Sequence, residues 1–122
     1  MIKIAVDAMG GDNSPNKVID GIIEHYSTNK DIFYTIFGDE QKIVKCLNNK
    51  INKNNFKIIN TLKKVSSEDS PLEAAKRGKD TSMWLAIESV KKKECDIVIS
   101  AGNTGALLVI SKLNLNMIEN ID

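Results

Sequence analysis

Two glycine-bearing corners hold the side chains best suited to chemistry, and each directly follows a strand-like run. "DAMGGD" at 7–12 places Asp7 and Asp12 around Gly10 and Gly11. "SAGNTG" at 100–105 brings Ser100, Gly102, Asn103, Thr104 and Gly105 together behind "CDIVI". Glycines let backbone N–H groups approach an anion with no Cβ in the way, and Asn103 and Thr104 add side-chain hydrogen bonds. A helix starting after such a corner adds the positive end of its dipole, roughly half a unit charge. A third segment, "KDTSM" at 79–83, offers Lys79, Asp80 and Ser82 at a helix start. The chemistry these residues suit is the binding of a small oxyanion.

Simpler readings stand beside this one. Gly10 and Gly11 equally suit a tight turn, Asp12 equally suits a cap, and a G-x-x-G corner after a strand often binds nothing. Neither G-x-G-x-x-G nor the Walker pattern ending in Gly-Lys-Ser/Thr is present. The single histidine, His25, falls on a helical surface position, and no nucleophile–histidine pair is visible. Cys46 and Cys95 are isolated, with no spacing or neighbouring histidine for a metal site. They read as reduced, buried thiols. No metal and no cofactor are expected.

The elements that must position these corners follow from periodicity. "IKIAVDA" alternates Ile2, Ile4 and Val6 against Lys3, Ala5 and Asp7, the period-2 mark of a strand. Ile19, Ile22, Ile23 and Tyr26 then form one helical face, with Ser14 as expected N-cap and Pro15 at the first helical position. "IFYTIFG" at 32–38 is a second strand, Ile43, Val44, Leu47 and Ile51 mark a second helix, and "FKIIN" at 56–60 is a third strand. "SPLE" at 70–73 has the form of a capping box that opens a short helix, which Gly78 can close. A further helix, capped by Asp80 or Thr81, turns Met83, Trp84, Ile87 and Val90 inward. "CDIVISA" is the fourth strand, apolar without alternation and so expected to be covered on both faces. "GALLVISKL" reads as a buried helix, while "LNLNMIENID" closes no pattern and reads as interrupted. Strands alternating with helices over short links mean an α/β domain with a mostly parallel sheet.

Composition narrows the function classes. The 122 residues are 42% hydrophobic and 27% charged, suited to one soluble domain with a single core. A net charge of +1 supplies no global field for nucleic acid, and one Trp with three Phe makes no stacking platform. Lys, Ile and Asn are abundant, so little function is read into "NNKINKNNFK". No run approaches the roughly 18 apolar residues of a membrane span, and "MIKIAVDAMGG" lacks a signal-peptide layout, so a cytoplasmic protein is expected.

"IAVDAMGGDNSP", "FGDE" at 37–40, "DSPLEAAKRGKDTSM" at 69–83 and "ISAGNTGAL" at 99–107 together carry a family resemblance from Met1 to about Leu113. The sequence resembles the bacterial phosphate acyltransferases of phospholipid synthesis, which make acyl phosphate from acyl–acyl carrier protein and inorganic phosphate. The resemblance implies a three-layer α/β/α fold related to isocitrate and isopropylmalate dehydrogenases. It also implies a homodimer that associates peripherally with the membrane and supplies a membrane-bound glycerol-3-phosphate acyltransferase. Family members are several times longer, so residues 1–122 correspond to an N-terminal portion and the fold is expected to be incomplete.

Under that resemblance Ser100, Gly102, Asn103, Thr104 and Gly105 form part of a phosphate cradle. Asp7, Gly10, Gly11 and Asp12 line the facing wall, and Lys79, Asp80 and Ser82 reach in from the third corner. The alternatives are a non-catalytic remnant of such an enzyme and a phosphate- or nucleotide-binding α/β module. The cradle requires residues 10–11 and 102–105 to share one end of the sheet.

Overall fold

The computed structural model describes residues 1–10, 14–62 and 81–100. Its elements run β1 (Ile2–Asp7), α1 (Asn16–Thr28), β2 (Ile32–Gly38), α2 (Glu40–Leu47), a 3-10 turn (Lys53–Asn55), β3 (Phe56–Asn60), α3 (Ser82–Lys91) and β4 (Ile97–Ser100). All strand pairs are parallel, in the order β3-β2-β1-β4. This is the expected α/β arrangement.

Helices cover both faces. Ile4, Val6, Tyr34 and Ile36 face α1 and α2, where Ile19, Ile22, Ile43 and Leu47 complete the larger core. Ala5 and Phe37 point the other way, toward Ala86 of α3 and Cys95. Each fully buried Ile contributes about 1.5–3 kcal/mol, so this alternation alone favours one register over a slip by one residue. At the amino-terminal edge Lys3 donates its N–H to Asp96 Oδ2 at 2.8 Å, while the Asp96 N–H donates to the Lys3 carbonyl at 2.7 Å. That pair locks β4 against β1.

Several expectations need correction. Ser14 does not cap α1: Pro15 occupies the N-cap position with no side-chain cap bond, and the Ser14 hydroxyl instead donates to the Gly10 carbonyl. α2 ends at Leu47, so Ile51 is buried from beyond the helix, and Val44 is 55% exposed. Asp39 caps α2 by accepting from the N–H groups of Gln41 and Lys42, a role the sequence reading did not assign. β4 is not covered on both faces, because Ile97 and Ile99 are 50% and 40% exposed. Val90 is half-buried rather than buried, and so is Cys46.

The asparagine-rich stretch also has definite work. Asn48 adopts a left-handed conformation as the C-cap of α2, and Asn49 follows with φ 59°. Asparagine tolerates that region better than most side chains. Asn52 caps the 3-10 turn, and Asn55 donates to the carbonyls of Lys30 and Ile32. The "SPLE" box, the "GALLVISKL" helix and the final "LNLNMIENID" lie outside the described residues.

Candidate functional site

The chain winds from β1 through β2 to β3 in one direction, then returns past β1 to place β4 on its other side. The crevice at the carboxyl ends of β1 and β4 is therefore the point where strand order reverses, the usual ligand position in open α/β sheets. Asp7 and Ser100 are register partners at that point.

Three of the sequence-selected residues meet there. Ser82 donates its hydroxyl to Asp7 Oδ1 at 2.5 Å, and Ser100 donates to Asp7 Oδ2 at 2.7 Å. The Met9 N–H also donates to Asp7 Oδ1, at 3.1 Å. The local reasons are separable. β1 alternation turns Asp7 toward α3, and Thr81 caps α3 by accepting from the Trp84 N–H at 3.2 Å, which fixes Ser82 as the first helical residue. Asp7 and Ser82 are 1% and 0% exposed, whereas Ser100 is half-buried. Gly10 is buried at the same rim, three residues beyond Asp7.

Gly11, Asp12, Lys79, Asp80, Gly102, Asn103, Thr104 and Gly105 lie outside the described residues. Among the described residues, no cluster of His, Cys, Asp or Glu could hold a metal ion, and no helix is long and apolar enough to cross a membrane.

A second concavity was not anticipated. Between α1 and β4 lies a cavity of about 400 Å³ whose walls include Ile4, Ile22, Ile97 and Ile99, with Lys17 and His25 also at its edge. His25 Nδ1 is 2.7 Å from the Tyr34 hydroxyl, and burial followed by the nearby Tyr26 raises the Tyr34 phenol above its usual range. Lys17, Gly21 and His25 repeat at four-residue spacing, the stripe that could have revealed this wall in the sequence. On the opposite flank of α1, burial and then Asp20 raise the Cys46 thiol, which donates to Asn16 Oδ1 at 3.1 Å. A thiol held protonated is a poor nucleophile.

Comparison with known proteins adds to this geometry. A family described as "Fatty acid synthesis protein" matches residues 2–122. The phosphate acyltransferase of Pelagibacter ubique (strain HTCC1062) is 68% identical over 122 residues, covering 100% of this chain and 36% of its own length. The phosphate acyltransferase of Listeria welshimeri is 46% identical over 121 residues, with 99% and 35% coverage. That of Streptococcus mutans is 44% identical over 122 residues, with 100% and 36% coverage. The chain thus spans about a third of the length of the curated relatives it matches.

Proposed function

Because the chain belongs to the fatty acid synthesis protein family, we propose that it carries the phosphate-binding crevice of a phosphate acyltransferase. The substrates are an acyl thioester on acyl carrier protein and inorganic phosphate. A phosphate oxygen attacks the thioester carbonyl, the carbon–sulfur bond breaks, and the carrier thiol leaves with a proton, giving acyl phosphate. Phosphate is already nucleophilic and the thioester already activated, so the protein must mainly aim the phosphate and stabilise the oxyanion. Backbone amides at the two corners, with Asn103 and Thr104, suit that task. The single observation carrying this reading is the meeting of Asp7, Ser82 and Ser100, from three family motifs, at the switch point of the sheet.

In this reading the cradle comprises Ser100, Gly102, Asn103, Thr104 and Gly105 facing Gly10, Gly11 and Asp12, with Lys79 and Asp80 nearby. The partners are acyl carrier protein, a second copy in a homodimer, and a membrane-bound glycerol-3-phosphate acyltransferase reached by peripheral association from the cytoplasm. Exposed Ile97 and Ile99 favour a second reading, in which residues 1–122 act only together with further polypeptide.

The test is phosphate-dependent consumption of acyl–acyl carrier protein. A full-length relative is expected to be active and residues 1–122 alone weak or inactive. Robust turnover by the 122-residue chain alone would remove the second reading. Asn103→Ala in the full-length relative should raise the phosphate concentration needed for half-maximal rate, and an unchanged phosphate dependence rejects the cradle.

A further inference from the structure

We infer that Asp7 is a positioning residue: its carboxylate clamps β1, α3 and β4 together at the crevice and does not itself touch the substrate. The inference rests on the reading of the crevice as a phosphate site.

The clamp is set by which groups donate. The carboxylate receives the Ser82 hydroxyl and the Met9 N–H on Oδ1 and the Ser100 hydroxyl on Oδ2. These donors come from the first turn of α3, the corner after β1 and the last residue of β4. Residues 7 and 82 are 75 positions apart and residues 7 and 100 are 93 apart. A single side chain therefore ties together three separate chain segments at the crevice end of the sheet.

Burial and charge exclude a direct role. Asp7 is 1% exposed and Ser82 is 0% exposed, so neither presents a surface to a ligand. Each serine hydroxyl has one proton, and in both it is given to Asp7. Neither serine can donate to phosphate while the clamp is closed, and an anion against a carboxylate would be repelled. Anion binding is thereby left to the corner amides, and Asp7 acts by fixing where those corners begin. The reassignment moves Asp7, Ser82 and the Ser100 side chain from the cradle to its support.

The test uses a full-length relative carrying Asp7, Ser82 and Ser100 as here. Asp7→Asn retains an acceptor for Ser82 and Met9 but turns an N–H₂ toward Ser100, whose hydroxyl must then rotate. A positional error of about 1 Å can cost about 100-fold in rate, so kcat should fall roughly 10- to 100-fold, with little change in the KM for phosphate. Ser100→Ala should do the same more mildly, and the Asp7→Asn/Ser100→Ala double variant should be no worse than Asp7→Asn alone. A direct substrate contact predicts a changed phosphate KM in Asp7→Asn and effects that multiply in the double variant; that result overturns the inference. A purely structural role predicts normal rates per folded molecule, which overturns it equally.

Unfolding gives a readout independent of the reaction. Asp7→Ala and Ser100→Ala should be coupled by about tenfold or more in the unfolding equilibrium constant, the size expected for a hydrogen bond to a charged group. Independent effects would overturn the clamp even in an active enzyme. If the wild-type relative shows no phosphate-dependent turnover, the functional reading fails, and this coupling still decides whether Asp7 joins the three segments.

Discussion

Gly38→Ala tests how tightly the crevice is supported from behind. Gly38 ends β2, and its carbonyl accepts the Thr61 N–H at 2.9 Å. Its backbone is outside the left-handed region, so the conformation itself admits a side chain. A Cβ there would sit 2.8 Å from Met9 Cγ, 2.9 Å from Met9 Sδ and 3.0 Å from Ile43 Cδ1. Met9 is only 6% exposed and Ile43 is fully buried, so neither can move into solvent without opening the core. Overpacking of this kind costs about 1–3 kcal/mol. Restricting the unfolded chain returns about 0.4–1 kcal/mol. The net effect is a loss of about 1–2 kcal/mol, roughly a 5 °C fall in melting temperature for a domain of this size.

Urea unfolding followed by Trp84 fluorescence would measure it, with Met9→Ala as the control. Met9→Ala alone should cost about 2–5 kcal/mol through the cavity it leaves. In combination it removes the two closest obstructing atoms, so the double variant should be about 1 kcal/mol more stable than the sum of the single effects. If Gly38→Ala is neutral or stabilising, or if the two changes simply add, then Met9 is not wedged against Gly38. The support drawn for the β1 corner would then be wrong.

Gly21→Ala should act in the opposite direction. Gly21 lies within α1 with nothing within 4 Å of an added Cβ, so the gain in helix propensity, about 0.5–1 kcal/mol, should appear undiluted as a higher melting temperature. Unchanged or lower stability would mean that this flank of α1 is more crowded than the structure indicates. Tyr34 should make stability fall in alkali. Its folded-state value lies above the ordinary 10.0, so its contribution is complete below about pH 10 and is lost as pH climbs through the raised value. Tyr34→Phe should flatten the melting-temperature profile above pH 10, and equal slopes in the two proteins would contradict the assigned shift.

Much of this architecture is local and therefore legible in one dimension. Ile2, Ile4 and Val6 alternate because successive strand side chains point to opposite faces, and Ile19, Ile22 and Tyr26 recur because helical neighbours lie three or four apart. Thr81 was among the candidate caps because a hydroxyl before a helical run can take up an N–H that the first turn leaves unpaired. The four described strands follow from such rules. The Ser14 cap and the covering of β4 failed for a common reason. Ser14 is drawn to the Gly10 carbonyl and Ile97 and Ile99 lie on the outer strand of the described sheet, and neither fact has a local signature.

The meeting of Asp7 with Ser82 and Ser100 belongs wholly to tertiary structure. Periodicity states which face Asp7 occupies but not that β4 will stand beside β1 on the side away from β2, with Ser100 in register. That depends on the chain reversing direction across the sheet between β3 and β4. The reversal brings together groups far apart in sequence, and hydrogen-bond geometry then decides that the two hydroxyls donate to the buried carboxylate. Residue types and their order specify a parallel α/β sheet; only the folded arrangement of its strands makes Asp7 the junction of three segments.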